Sequence, residues 1–164
     1  MDAIVYTSNT GHTAAYARLL GESTGLPVYT VTEAAGALEP GTPVLYLGWL
    51  KVTRVVGYKR AARRYDVRAV CGVGLCTTGA LLAEVRQAIS LPESIPLFTL
   101  QGGLDLTKLR GMNKFMIQML TKMMQNKTDR TEGEDQMLAL LLKQGNYVCR
   151  ENLSDVLAWQ NNTI

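Results

Sequence analysis

The sequence predicts an α/β protein with a central parallel sheet. Five short apolar runs, rich in β-branched residues, recur between stretches with helical spacing. The runs are continuous rather than alternating, which is typical of strands buried on both faces. A length of 164 residues fits one domain with a sizeable core, so we expect a single domain over 1–164.

The predicted strands and helices alternate over the first two thirds of the chain. The strands are expected at 3–6, 27–31, 44–48, 69–73 and 95–100. Helices are expected at 13–23, about 54–65 and about 79–90, with a stunted or absent helix in the link 31–43. Right-handed crossovers bring the carboxyl ends of all parallel strands to one edge of the sheet, where ligands bind. The loops after residues 6, 48, 73 and 100 are therefore the candidate site.

Beyond residue 100 the pattern becomes helical. A loop and a long amphipathic helix are expected over 102–130, followed by a second helix that Gly145 ends. Ser154 is the expected N-cap of a last helix. No linker separates these helices from the rest, so we interpret them as additions to the same domain.

Composition argues against a disordered, a membrane-spanning and a secreted protein. Apolar residues make up 47% of the chain and charged residues 19%, which argues against disorder. The apolar runs are too short to span a bilayer, and the first residues do not resemble a signal peptide. Cys71, Cys76 and Cys149 form no CxxC pair, which favours free thiols in a reducing compartment. A cytoplasmic location is therefore expected.

The formal charge of +3 is unevenly distributed. Basic residues crowd the segments 51–64 and 108–127. Such clusters suit nucleic acid, anionic lipid or an acidic partner, but a solvated helix face is the interpretation we favour for either one taken alone. We expect no nucleic-acid partner.

The hexapeptide "SNTGHT" (8–13) follows the first predicted strand and is too long for a simple turn. Backbone N–H groups at the start of the next helix have no helical partners, and the helix dipole adds positive charge there, which suits phosphate. Ser8, Thr10 and Thr13 add hydroxyls, and Gly11 lets the backbone wrap closely. The loop has no Lys and no GxxxxGK[ST] pattern, which indicates phosphate binding without phosphoryl transfer. The simpler alternative is that the segment only caps the helix.

This loop resembles the phosphate loop of flavodoxins, S/T-x-T-G-x-T, in which hydroxyls and amides hold the phosphate of FMN. The resemblance implies a flavodoxin-like three-layer sandwich with a five-stranded parallel sheet of order 2-1-3-4-5 and extra helices after the fifth strand. It also implies FMN as the cofactor, with its phosphate held by Ser8, Asn9, Thr10, Gly11, His12 and Thr13.

In flavodoxins the ring of FMN lies between the loops after the third and fourth strands. By this resemblance, the first of these loops would contact the ring through Trp49, Leu50, Lys51 and Val52. The second would do so through Gly74, Leu75, Cys76, Thr77 and Thr78. The flavin itself would carry the redox chemistry, so no catalytic side chain and no metal ligand is expected.

A methionine-rich stripe recurs at helical spacing between Met112 and Met124. It is interpreted as core, as a partner groove, or as a face for shallow membrane contact through 108–127. The string "NKFMIQMLTKMM" is also similar to a segment of flavodoxin-like protoporphyrinogen dehydrogenases, in which a membrane quinone accepts the electrons. The loop 48–54 and the acidic "TEGEDQ" depart from that family.

These observations predict an FMN-dependent oxidoreductase that transfers electrons. A quinone or a tetrapyrrole such as protoporphyrinogen at the membrane surface is the expected reactant, with a redox partner protein or a small molecule as donor or acceptor. One alternative is a soluble flavodoxin-type carrier, although Lys51 and Arg54 stand where acidic carriers have carboxylates. The other is a regulatory module whose phosphate loop is vestigial.

Overall fold

The computed structural model describes residues 1–162, apart from the side chain of Lys143. Its main sheet has six strands in the path β2-β1-β3-β5-β6, with β4 paired to β3 off this path. The strands are β1 (Ala3–Thr7), β2 (Val28–Thr30), β3 (Pro43–Lys51), β4 (Arg54–Val55), β5 (Asp66–Gly74) and β6 (Leu97–Gln101). All pairs along the path are parallel, and β4 is antiparallel. The expected α/β architecture with a mostly parallel sheet is confirmed.

The strand order differs from the predicted five-strand order 2-1-3-4-5 because the sheet has an additional strand. The third strand does not end at residue 48 but runs to Lys51, and the chain then turns back into β4. Only Val52 and Thr53 lie between the paired residues Lys51 and Arg54, as in a two-residue β-hairpin. The prediction of a loop over 48–54 is therefore wrong.

Helices cover both faces of the sheet, an arrangement compatible with three layers. They are α1 (His12–Thr24), α2 (Val31–Ala37), α3 (Tyr58–Ala62) and α4 (Leu82–Ile89). One core cluster joins α2, α3 and α4 to strand residues such as Val5 and Val70, and the other joins α1 to strand residues such as Ile4 and Leu45. Alternating side chains of one strand thus enter opposite layers.

The helix predictions differ in accuracy. The helices expected at 13–23 and 79–90 are present, and the stunted helix in 31–43 is the seven-residue α2, which begins with a Thr30–Glu33 capping box. The helix expected over 54–65 is wrong in extent, because only 58–62 is α-helical. Val55 is buried in β4, and Gly57 takes a left-handed conformation that starts α3.

The chain after β6 forms a separate small layer before it returns to the sheet. Strands β7 (Gly103–Leu104) and β8 (Gly145–Asn146) pair antiparallel, and between them lie α5 (Gly111–Asn126) and α6 (Glu132–Lys143). Leu104, Leu109 and Leu141 form its core. The helix α6 ends at Lys143 with Gln144 as its cap, one residue before the predicted stop at Gly145.

The last segment packs on the face of the sheet that α1 covers. A 3-10 helix over Glu151–Leu153 leads into α7 (Ser154–Asn161), so Ser154 is the first helical residue rather than the N-cap. Leu153 is fully buried, and Asn152 Nδ2 donates to Tyr16 Oη at 2.7 Å. Within residues 1–162, no helix is both long enough and apolar enough to span a bilayer.

Candidate functional site

The loop between β1 and α1 presents free backbone amides at the carboxyl edge of the sheet. Gly11 adopts φ 99°, and its N–H donates to Ser8 Oγ at 3.2 Å, which closes the loop. The first helical bond runs from Ala15 N to Gly11 O at 2.9 Å. The amides of the first turn, from His12 to Ala14, therefore precede the helical ladder and carry the positive end of the α1 dipole.

Thr13 is the residue of this loop with the least exposed side chain. Its side chain is 1% exposed and lies against a cavity, and within residues 1–162 its hydroxyl has no hydrogen-bond partner. The described atoms that are both fully buried and without a partner do not include this hydroxyl oxygen, so it reaches the open space of the cavity. Together with the free amides, this hydroxyl makes the start of α1 suited to an anion that enters the cavity.

His12 contributes its side chain as well as its amide. Its Nδ1 lies 3.0 Å from Thr10 Oγ1, and both residues line the cavity. Burial and the positive charge of Lys108 hold the pKa of His12 below its usual value of 6.5, while Asp105 acts in the opposite direction. The ring is therefore mainly neutral at pH 7.

The cavity has a volume of about 510 Å³, which lies in the range of small-molecule sites. It brings together all four loops that the sequence predicts as a site, the last of them through Gly103 and Leu104. Twelve of the predicted residues line it: Asn9, Thr10, His12, Thr13, Trp49, Leu50, Lys51, Val52, Gly74, Leu75, Cys76 and Thr77. Ser8, Gly11 and Thr78 are not among the lining residues. Ser8 instead holds the turn, and Thr78 Oγ1 accepts from Gln101 N at 3.1 Å.

The β3–β4 hairpin forms one wall of the cavity. Leu50 covers the glycines of β5, since a Cβ on Gly72 or on Gly74 would come within 2.9 Å of the Leu50 side chain. Val52, at the tip, adopts φ 60° and is 82% exposed, which is an unusual conformation for a β-branched residue. Strain of this kind is often found at functional sites.

The loop after β5 forms the facing wall and is fixed by hydrogen bonds to the next strand. Gly102 N donates to Gly74 O at 2.7 Å, and Gln101 Nε2 donates to Leu75 O at 3.2 Å. Cys76 lines the cavity from this loop, and burial raises the pKa of its thiol. Backbone and small side chains therefore line a fixed part of the site.

Helices α5 and α6 supply an apolar wall that the sequence does not locate. Their lining side chains include Met116, Ile117, Met119, Leu120, Met137 and Leu141. The methionine spacing predicts an apolar face, but periodicity does not tell what that face covers. Only part of the face is used here, because Met112 and Phe115 are 85% and 64% exposed.

The described residues include no group of three or more His, Cys, Asp or Glu side chains placed to hold a metal ion. Comparison of the chain with models of known protein families, with curated proteins and with solved structures finds no match. The case for a function therefore depends on the cavity and its residues.

Proposed function

We propose that this protein is a flavodoxin-like oxidoreductase that binds FMN noncovalently in the cavity and transfers electrons. The observation that carries the proposal is the Thr13 hydroxyl, which has no partner among the described residues and borders the cavity where α1 begins. A phosphate would accept hydrogen bonds from this hydroxyl, from Thr10 and from the free amides. The absence of Lys from the loop fits a phosphate that is held and not transferred.

The remaining walls suit a flat, partly apolar ring system. The hairpin would contact the ring through Trp49 to Val52, and the loop after β5 would do so through Gly74 to Thr77. When bound, FMN supplies reversible acceptance and donation of electrons. The protein would hold the ring, exclude water with Leu50 and the α5–α6 wall, and place Lys51 near it, where a cation favours added negative charge.

The flavodoxin-like assignment is part of the proposal and is supported by the parallel path β2-β1-β3-β5-β6. If the two-residue β4 is left out of the count, the other five strands follow the succession 2-1-3-4-5. The phosphate-loop sequence at 8–13 follows the first of these strands, as in flavodoxins.

The apolar wall supports an apolar reactant. Met116, Met119 and Leu120 border the same cavity as the predicted ring residues, and thioether side chains adapt to varied flat partners. A quinone or a tetrapyrrole such as protoporphyrinogen has this character, and we propose that one of them exchanges electrons with the flavin. The alternative of a flavodoxin-type carrier requires a protein partner instead.

The decisive test is flavin binding by the purified protein. FMN should bind with quenched fluorescence and a shifted visible spectrum, and Thr10→Glu should abolish binding by placing a carboxylate in the anion site. Thr32→Glu, on the exposed surface of α2, is the matched control and should bind as the wild type does. A protein that takes up no FMN, or a Thr10→Glu variant with full affinity, would contradict the proposal and favour a vestigial loop.

Electron acceptors separate the oxidoreductase from the carrier. The reduced FMN complex should be reoxidised rapidly by a short-chain quinone, or the oxidised complex should be reduced by protoporphyrinogen. Reactivity with neither compound would contradict the proposed reactants and favour the carrier.

Contact with a membrane through 108–127 is a further part of the proposal. The exposed side chains of Met112, Phe115 and Met123 lie on α5 beside the basic residues Lys114 and Lys122. The protein should sediment together with vesicles that contain anionic lipid. The double variant Lys114→Glu/Lys122→Glu should remain in the supernatant. A Lys59→Glu/Arg60→Glu double variant, on α3, is the charge-matched control. Equal loss in both variants, or no binding by the wild type, would contradict contact through α5.

A further inference from the structure

His12 connects the phosphate loop to the segment that follows β6. Its Nδ1 lies 3.0 Å from Thr10 Oγ1. The opposite edge of the ring packs against β7, because a Cβ on Gly103 would lie 3.1 Å from His12 Nε2. The ring is thus held between the hydroxyl of Thr10 and the backbone of Gly103, and it borders the cavity.

We propose that His12 is a positioning residue for the phosphoryl group of FMN, and that binding of this group is accompanied by uptake of one proton on the imidazole ring. The inference depends on the proposed function, since it concerns the same ligand. It assigns to the side chain at position 12 a role that a helix cap does not have.

The hydrogen-bond inventory of Thr10 gives the reason. A hydroxyl has one hydrogen to donate. When Nδ1 of the ring carries no proton, Thr10 donates that hydrogen to Nδ1 at 3.0 Å and has none left for an anion. Nδ1 carries a proton in the neutral Nδ1–H tautomer and in the imidazolium; in both, Nδ1–H donates to Thr10 Oγ1, and the hydroxyl hydrogen becomes free to bind a phosphate oxygen. A proton on Nδ1 therefore orients Thr10 for the ligand, and the negative charge of the phosphate favours the imidazolium over the neutral tautomer.

Electrostatics act in the same direction. Burial and Lys108 favour the neutral ring in the free protein, with Asp105 opposing them. A phosphate dianion at the start of α1 would add negative charge next to the ring and favour the imidazolium. Lys108 and Asp105 are the charged groups that act on the ring. Lys51 and Cys76 line the same cavity, and Tyr16 follows one turn along α1.

The sign of the pH effect follows. Because the ligand prefers the protonated ring, the pKa of His12 should be higher in the FMN complex than in the free protein. Affinity for FMN should then strengthen as the pH falls toward the pKa of the free protein. The phosphate of FMN also gains a proton near pH 6, which weakens binding, but this effect is common to all variants.

The chain contains a single histidine, so its imidazole proton resonance in an untagged protein is unambiguous. We expect an NMR titration to give a pKa that is about one unit higher in the FMN complex, which corresponds to about tenfold tighter binding to the protonated protein. An unchanged or lower pKa in a complex that does form would overturn this inference and leave FMN binding intact. If no complex forms, the proposed function and this inference fail together.

Two variants separate positioning from a merely structural role. His12→Gln keeps a hydrogen-bonding side chain but cannot titrate, so the tightening of FMN binding between about pH 8 and pH 6 should be up to about tenfold smaller than in the wild type. Riboflavin, which lacks the phosphate, should show no such difference between the two proteins. Lys108→Gln should raise the pKa of His12 in the free protein. Equal pH dependence of FMN binding in wild type and His12→Gln would overturn the inference.

Discussion

Thr13 is the single residue on which the proposed phosphate site depends most. Thr13→Val keeps the shape of the side chain and removes the hydroxyl, which borders the cavity and has no partner within residues 1–162. FMN affinity should fall about tenfold or more, since a hydrogen bond to a charged group contributes roughly 1.5–3 kcal/mol. Thermal stability of the free protein should stay equal or rise. Calorimetric titration and melting measure the two effects.

Thr24→Val, at the other end of α1, is the matched control. Thr24 Oγ1 donates to Leu20 O at 2.7 Å, so its loss should lower stability and leave FMN affinity unchanged. A Thr13→Val protein that melts lower and binds FMN normally would show that the hydroxyl serves the fold instead of the ligand.

Gly57 is a residue whose backbone leaves no room for a side chain. It has φ 85°, and a Cβ would lie 2.1 Å from Tyr46 Oη and 2.6 Å from Thr7 Oγ1. Gly57→Ala should lower the free energy of unfolding by roughly 2–4 kcal/mol, because it adds backbone strain and disrupts the buried hydrogen bond of Tyr46. Gly36→Ala, in α2 with open space around it, should instead gain up to about 1 kcal/mol. Urea unfolding that ranks the two variants equally would contradict this account.

At the scale of single residues the sequence predicts the site better than it predicts the role of each side chain. Hydroxyl spacing after a buried run predicts a phosphate loop at 8–13; the structure places Thr13 at a cavity, and the phosphate stays a prediction. Nothing in the sequence distinguishes Ser8, whose oxygen closes the loop, from Thr13, whose oxygen lacks a partner. That difference depends on three-dimensional positions that the spacing of residues does not encode.

At the scale of elements, the β3–β4 hairpin combines features that oppose its own stability. Lys51 and Arg54 are directly opposite each other, and like charges in cross-strand pairs are unfavourable. Arg54→Glu should therefore stabilise the hairpin by about 0.2–1 kcal/mol at low salt, and less at high salt. Urea unfolding at two salt concentrations measures the gain.

Arg54→Gln is the control for the hairpin, because it removes the repulsion with Lys51 without adding attraction. Its free energy of unfolding should lie between those of the wild type and Arg54→Glu. A gain of the same size at high salt would assign the effect to β-propensity rather than to charge. Under the proposed function, Arg54→Glu should also lower the redox potential of bound FMN, since it places a carboxylate opposite Lys51, the cation that lines the cavity.

The hairpin also shows why element prediction fails where it does. The segment 54–65 carries four Arg and one Lys and suggests a solvated helix, yet Val55 is buried and pairs with Leu50. The five parallel strands are predictable because burial on both faces requires continuous apolar runs. The position of α5 is not predictable, because an amphipathic stripe indicates a buried face without indicating the surface on which that face packs.

For the molecule as a whole, ionisation of Tyr46 makes the stability of the folded state depend on pH in the alkaline range. Burial raises its pKa to about 12, although a hydrogen bond with Thr7 acts in the opposite direction. The neutral phenol is therefore favoured in the folded state. The contribution of Tyr46 to the free energy of unfolding is complete below the unfolded pKa of 10 and is lost as the pH rises from 10 to about 12. That loss should reach about 2–3 kcal/mol.

Stability curves from pH 8 to pH 12 test this effect. Tyr46→Phe should be less stable near neutral pH, since Val56 O loses the hydrogen bond donated at 2.8 Å, but it should show a shallower alkaline decline. Identical slopes in the two proteins would exclude Tyr46 as the source.

The β7–β8 pair has a consequence for how the chain is assembled. The segment 105–144 connects Leu104 to Gly145, and these two residues are paired neighbours in β7 and β8. Both helices of the apolar wall therefore belong to an insertion of about 40 residues, 105–144, that enters and leaves the fold at the β7–β8 pair. A four-residue turn in its place would shorten the closed loop about tenfold and relieve about 2 kcal/mol of closure entropy. We expect the sheet and the loop 8–13 to form without the insertion. Under the proposed function, exchange of the insertion would change which reactant reaches the cavity.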